Sequence, residues 1–356
     1  MAATKSPPMK GSHMSTHRTT RRAGALIAAT TAAALLVGCA AAADGDKDAN
    51  ASAESTTLSL GHAYSPESLE HRGAVAFAER VAELTDDAVT IQVYPSAQLG
   101  SWEEMQEGLE LGSVDIVFES LGSLERYTSL ASIEGLPFLY NDFDHFVAVW
   151  ESDLKEEIFE EVRADSGFQL LGAFPRGGGR QLASIRPVES LSDLEGLKIR
   201  VPGQDAYIET WQALGASPTP LALNEVFSAL EQGAIEATEA PVSVLRSSSF
   251  YEVAQHITVT NHLFGNQHFQ FWGDSYDALP DDTRAALVQA ADDVSLEFRT
   301  VGLEEDEDNR TFLEESGVTF YEIDVDEWRA RVEHLTEQAD PSVQGWVEQI
   351  SGMASE

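Results

Sequence analysis

The 356-residue sequence predicts an α/β protein of two lobes, and three observations carry that expectation. Short β-branched or apolar runs alternate with helical patterns from Thr57 onward, as in lobes built around parallel strands. Glu104, Leu109, Glu110, Gly112, Val114 and Asp115 match Glu225, Leu230, Glu231, Gly233, Ile235 and Glu236 at a constant offset of 121 residues, as two lobes sharing one helix-to-strand unit would. About 300 residues follow a low-complexity N-terminal region, enough for two lobes of ordinary size.

In the first lobe, Leu58–His62, Val89–Tyr94, Val114–Glu119 and Phe168–Phe174 read as strands. In the second, Leu197–Val201, Pro218–Leu223 and Ile235–Ala240 do. Between them Ala74, Phe77, Ala78 and Val81 recur at helical spacing, as do Val226, Ala229 and Leu230, marking helix faces laid on a sheet. In both copies of the repeated unit a helix ends near Leu-Glu, a glycine supplies the left-handed cap, and a strand follows at once. The acidic stretch from Leu279 to Glu305 carries Leu287, Ala291, Val294 and Phe298 at helical spacing and reads as a long helix lying across both lobes. Its Glu304–Asp308 patch lacks the alternating ligands and the glycine of a calcium loop, so it reads as a solvated face.

Ahead of the lobes, Lys5, Lys10, Arg18, Arg21 and Arg22 precede an uncharged run from Ala23 to Gly38. That is the pattern of an export signal peptide, too short for a spanning helix of roughly 20 residues. The run stops at Leu36-Val37-Gly38-Cys39, which resembles a bacterial lipobox, so 1–38 is expected to be removed and Cys39 lipidated. Arg21-Arg22 keeps twin-arginine export as a lesser alternative, and Gly11-Ser12-His13-Met14 looks like a cloning scar or an over-long start, with Met14 the alternative first residue. Residues 39–56, rich in Ala, Asp, Ser and Glu, cannot bury a core and read as a tether. Cys39 is the only cysteine, so the lobes have no disulfide and rest on core burial.

The sequence holds 22 basic and 60 acidic residues, and the five basic residues before Cys39 have no acidic neighbours. Removing those five leaves 17 against 60, a net charge of −43. Such a surface repels nucleic acid and anionic headgroups, and its self-repulsion favours a monomer. No nucleophile elbow, zincin helix, phosphate loop or paired-cysteine zinc spacing occurs, and the histidines are dispersed, so no metal or cofactor is called for. What remains is a pair of arginines in a chain that otherwise avoids cations. Arg180 follows Gly177-Gly178-Gly179 at the start of a strand, and Arg200 ends the strand Leu197-Lys198-Ile199-Arg200. A strand-end guanidinium in an interlobe crevice can fork a carboxylate, a geometry lysine cannot reproduce. The competing reading is a surface arginine paired with one of the many acids.

At these residues the chain resembles the DctP family of substrate-binding subunits of TRAP transporters. The resemblance is carried by Asp193-Leu194-Glu195-Gly196-Leu197-Lys198-Ile199-Arg200-Val201-Pro202, by Leu214-Gly215-Ala216-Ser217-Pro218-Thr219-Pro220 and by Glu225 to Gly233. Tyr94-Pro95-Ser96-Ala97-Gln98-Leu99-Gly100 and Gly112-Ser113-Val114-Asp115 add to it. It implies a two-lobed periplasmic-binding-protein-like fold of type II character, with hinge strands and a long helix spanning both lobes. Lobe I is then 57–176 with 266–303, and lobe II is 177–265 with 304–356. Arg200 would make the main salt bridge to a small organic carboxylate and Arg180 would assist. The family asparagine after the glutamate of its Q-E-N-P segment is replaced by Ala240 beside Glu239, and the aromatic after P-T-P is Leu223.

The partners implied are the small and large TRAP permease subunits, with the protein lipid-anchored on the outer face of the membrane or periplasmic, and not an enzyme. His62, Tyr64, Glu67, Glu119, Trp211, Glu239, Asn266 and Gln267 are the expected cleft residues beside the arginines. Two glutamates in the cleft would favour hydroxylated acids such as uronates or aldonates, or a zwitterion such as ectoine, over simple dicarboxylates. A sensory binding protein, and a lyase or hydrolase using Glu119, Glu239 or His62, remain as alternatives.

Overall fold

Two sheets form, and the computed structural model describes them over residues 55–353. The first lobe opens with β1 (Thr56–Gly61), α1 (Leu69–Leu84), β2 (Val89–Tyr94), α2 (Trp102–Leu111) and β3 (Ile116–Glu119). It continues with α3 (Phe143–Trp150), α4 (Leu154–Ser166) and β4 (Phe168–Pro175). The second lobe runs β5 (Arg180–Ser184), α5 (Leu191–Leu194), β6 (Lys198–Val201), α6 (Asp205–Ala213) and β7 (Ser217–Pro220). After these come α7 (Val226–Glu231), β8 (Ala237–Pro241), α8 (Val242–Ser247) and β9 (His256–Val259). The chain then returns through β10 (Asn266–Trp272) to α9 (Gly273–Asp277) and α10 (Asp281–Glu315), followed by β11 (Thr319–Glu322), α11 (Val325–Glu337) and α12 (Gln344–Met353).

The first sheet has the order β2-β1-β3-β10-β4, and the second β11-β9-β5-β8-β6-β7. β1 pairs in parallel with β2 and β3, and β6 with β7 and β8, so each lobe has the parallel core that the alternating pattern predicts. β10 lies antiparallel between β3 and β4, and β5 antiparallel between β8 and β9. These antiparallel strands flank the two points where the chain crosses between sheets. There the crossing segments bond each other, Arg180 N donating to Leu263 O at 2.8 Å and Arg176 N to Gly265 O at 3.4 Å.

The repeated unit of the sequence is a repeat of structure. Gly112 and Gly233 both take φ +69° after α2 and α7. Ser113 N and Val114 N donate to Gly108 O, and 121 residues later Ala234 N and Ile235 N donate to Ala229 O. The αL cap closes each helix and aims the chain into β3 or β8.

α10 is ten residues longer at its C-terminus than the sequence pattern indicated. Leu287, Ala291, Val294 and Phe298 pack with the core of the first sheet, and Leu313 with a core of the second, so the helix does span both lobes. Where it passes the crossing, Gly302 meets Gly177, and a Cβ on Gly302 would sit 3.2 Å from the Gly177 Cα, tight enough that the crossing backbone would have to give by a few tenths of an ångström.

Two differences from expectation concern the chain's second half. β9 and β10 carry Thr, Asn, Gln and His at buried positions, and the four-residue edge strand β11 has no buried position, so none shows a hydrophobic alternation to read. The segment 304–356 does not stay with the second lobe. β11 extends the second sheet, but α12 places Trp346, Val347 and Ile350 in the core formed by α3 and α4, and the Ile350 carbonyl lies 2.9 Å from His145 Nε2. Cys39, the leader and most of the tether lie outside the described residues.

Candidate functional site

The two lobes meet across a cleft floored by the carboxyl ends of β3, β6 and β8 and by the crossing segments. It is closed here, enclosing about 50 Å³. Asp205 N at the start of α6 donates to Glu125 Oε2 of the first lobe at 2.8 Å, and Ser65 Oγ donates to Ser247 O at 3.2 Å.

Three arginines converge in it, all buried: Arg176 at the end of β4, Arg180 at the start of β5 and Arg200 within β6. Two have acid partners. Arg180 forks Glu239, with Nη2 2.7 Å from Oε1 and Nε on Oε2, and its guanidinium lies 5.2 Å from the Tyr207 ring centre. Arg176 Nε reaches Glu70 Oε1 at 3.2 Å and its guanidinium lies over Tyr64 at 5.1 Å. Arg200 differs. Its Nε donates to the Leu221 carbonyl at 2.8 Å, and among the described residues no carboxylate pairs with it. Burial, with Arg180 and Arg176 nearby and against the pull of Glu239, lowers its pKa to about 10.

Carboxyl groups complete the cleft, and their surroundings shift them in opposite directions. Burial alone would raise Glu239, but Arg180, with His262 3.3 Å away, outweighs it and holds the carboxyl down at about 2. Glu119, at the end of β3, is pushed up by burial, although the Ser120 N–H at 2.9 Å and the Tyr64 hydroxyl at 3.2 Å donate to it. Glu134, behind the cleft, accepts from Gly122 N, and burial raises it to about 7. Arg176 and Arg180 each have an acid partner and Arg200 has none, so the cleft holds one guanidinium more than its ion pairs use.

Of the expected site residues, Arg200, Arg180 and Glu119 line this cleft, as does Tyr64, and Glu239 sits behind Arg180 as its counter-ion. The others do not line it. Trp211 faces the second lobe's core, its ring 5.2 Å from that of His262, because α6 turns its apolar stripe inward there. Glu67 lies exposed on the loop before α1, beside a different surface hollow. His62 is sealed under the sheet, 3.1 Å from His71 Nδ1, and burial together with His71 lowers it to about 3. Gln267 is buried on β10, and Asn266 opens into a second cavity.

Arg176, Trp102, Ser120, Gln204 and Tyr207 line the cleft without having been picked out. Arg176 carried the same signal as Arg200, an arginine at the carboxyl end of a strand, in a strand read as ending at Phe174. Ala240 and Leu223 line the cleft where the family has asparagine and an aromatic, so neither contact exists in this chain. Among the described residues no three metal-capable side chains cluster.

A cleft that closes between two hinged lobes onto a buried guanidinium without an acid partner defines a binding protein for an anionic solute. The model of bacterial extracellular solute-binding proteins, family 7 (DctP), matches residues 60–341, and the chain belongs to that family, the solute-binding subunits of TRAP transporters. A solute-binding protein of Roseobacter denitrificans is 33% identical over 272 residues, 76% of this chain and 83% of that one. The crystal structure of a TRAP periplasmic solute-binding protein from the same species, with bound L-galactonate, superposes with a TM-score of 0.79 at 30% identity, covering 83% of this chain and 99% of that one. A counterpart from Chromohalobacter salexigens with bound D-glucuronate gives a TM-score of 0.79 at 26% identity, covering 83% and 99%. Family members are periplasmic solute-binding proteins, and extracytoplasmic solute capture for a TRAP permease is the function of this chain.

Proposed function

We propose that the chain captures a hydroxylated monocarboxylate, a sugar acid of the aldonate or uronate class, with Arg200 forking its carboxylate. The observation that carries this reading is the charge count of the cleft. Arg176 and Arg180 already have Glu70 and Glu239, which leaves one guanidinium for one carboxylate and disfavours a dicarboxylate. Tyr64, Glu119, Ser120 and Gln204 supply donors and acceptors for hydroxyls, and burial pushes the Glu119 carboxyl up. Trp102 offers a flat apolar face for the carbon skeleton. Relatives with bound L-galactonate, D-glucuronate or L-fuconate fit the same chemistry.

Binding closes the lobes and so makes occupancy legible to the permease, since a partner can favour the closed form only when ligand has shifted that population. The reading assigns no chemical step. Glu239 is locked in an ion pair and His62 is sealed under the sheet, which leaves neither free to act as a base on a ligand. Lipidation of Cys39 and a monomeric state belong to the same proposal. Metabolic labelling with a clickable palmitate analogue tests the first and light scattering the second.

Calorimetric titration with L-galactonate, D-glucuronate, D-galacturonate, succinate and ectoine is the direct experiment. Binding confined to the sugar acids, with the ligand recovered unchanged in mass, is the expected result. Tight binding of succinate with no response to any sugar acid overturns the reading.

A further inference from the structure

The start of α6 belongs to the second lobe but is seated on the first. Tyr207, Trp211 and Leu214 root this helix in the second lobe's core. Its N-cap residue, Gln204, gives it no side-chain hydrogen bond, whereas Ser68, Ser101 and Asp142 cap α1, α2 and α3 from within their own chain segment. The Asp205 N–H, a donor that a helix leaves orphaned in its first turn, goes instead across the cleft to Glu125 Oε2 at 2.8 Å.

Glu125 directly follows the short 3-10 segment Leu121–Leu124, and Gly135 ends another, Ser129–Gly135. Leu121, Leu124, Leu130, Ala131 and Ile133 hold both segments in the first lobe's core, so the seat they form is rigid. Gly135 makes the approach possible. A Cβ there would run into the Ala206 Cβ of α6, whereas in its own lobe, chain neighbours apart, the nearest atom would be Glu125 Oε1 at 3.5 Å. Glu125, Gly135, Asp205 and Ala206 do not line the cleft, but Gln204 and Tyr207, on either side of the last two, do.

We infer that Glu125 and Gly135 are the positioning residues of closure, a first-lobe seat whose engagement by the start of α6 sets how long a bound solute is held. Each side of the contact is fixed in its own lobe, so parting the lobes breaks the Glu125 bond and returns the α6 N–H to water. Closing restores the bond, and the free energy gained there favours the closed, solute-retaining population without any contact to the solute. The inference rests on capture by closure and not on which acid is captured.

The probe is D-glucuronate, or succinate should no sugar acid bind, and its release is followed by stopped-flow tryptophan fluorescence, Trp102 being in the cleft lining. Glu125→Ala should speed release about 3- to 30-fold, the range for a lost helix cap. Glu125→Gln keeps an acceptor oxygen and should release near the parent rate. Gly135→Ala should raise Kd about 5- to 150-fold, as overpacking does, and leave the ligand-free melting temperature unchanged. Adding Ala206→Gly removes the opposing methyl and should recover most of that loss. Binding of succinate alone overturns the proposed acid class and leaves this test intact. If neither acid binds, the radius of gyration from X-ray scattering should rise in Gly135→Ala and fall back with Ala206→Gly, and equal radii would then overturn the inference. So would a parent release rate in Glu125→Ala, a Gly135→Ala chain that binds as tightly as the parent or melts lower without ligand, or no recovery with Ala206→Gly.

Discussion

Arg200 and Arg180 are both buried strand residues twenty positions apart, yet the fold gives them different partners. Glu239 satisfies Arg180 completely enough that a second carboxylate gains little there, whereas Arg200 has only a carbonyl. Arg200→Ala is therefore expected to weaken a sugar acid by about 2–5 kcal/mol, roughly 30-fold to several thousand-fold in Kd, by calorimetry. Arg200→Lys should recover little of this, since a point charge cannot make the fork. An unchanged Kd in either variant removes Arg200 from the site. Glu239→Gln acts differently. It leaves Arg180 charged and buried without its acid, at a cost of about 3–5 kcal/mol, so thermal melting should show a loss of several degrees without ligand present. Arg200 was legible as a strand-end arginine in a cation-poor chain. Its freedom from acid partners was not, because that depends on where Glu239 and Glu70 point.

The helix-to-strand unit shows how local sequence carries over into structure. Leu-Glu followed closely by glycine specifies an αL turn whatever surrounds it, and Gly112 and Gly233 reach the same φ in different lobes. A Cβ at either glycine meets nothing within 4 Å, so the strain of the left-handed conformation is isolated there. Gly112→Ala and Gly233→Ala should each destabilise by about 1 kcal/mol, read from denaturant midpoints with unchanged slopes. Unequal effects would mean that the two turns are not equivalent. β10 is the contrary case. Its sequence, Asn-Gln-His-Phe-Gln-Phe-Trp, has no alternation because its polar side chains are buried between β3 and β4, and Gln270 is held by Gln106 Nε2 and by the Ser120 carbonyl, both at 2.9 Å. Only neighbours distant in sequence make such a strand stable.

For the molecule as a whole, burial sets how stability responds to pH. Glu125 and Glu134 are both raised to about 7, by burial first, so the folded chain retains protons that the unfolded chain has released. Their contribution is fully present below about pH 4.5 and is lost as pH rises through about 7. Glu239 has the opposite sign, but its contribution is lost only as pH falls toward about 2, outside this window; His62 and His268, held down to about 3 and about 4 by burial, lose theirs as pH falls below about 6.5 and so offset part of the slope. The melting temperature is expected to fall from pH 5 to pH 8, and Glu134→Gln to flatten part of that slope. A profile that rises across the window contradicts the assignment. The C-terminal helix is a second whole-molecule feature. Truncation before Gln344 removes Trp346 and Ile350 from the first lobe's core and should lower the melting temperature while leaving the second sheet untouched, which amide exchange resolved by lobe would show.

Periodicity, caps and composition were sufficient to read the α/β class, the parallel cores of both lobes, the repeated turn and the long helix, because each follows from contacts within a dozen residues. The strand-end arginine and the absence of cationic competitors were equally plain. Which lobe each late segment joins, which arginine is left without an acid, and which of eight expected cleft residues face the cleft all depend on contacts between residues often a hundred or more positions apart. Trp211 and Glu119 make the point: both are buried, but α6 turns one into a core while β3 presents the other to the cleft.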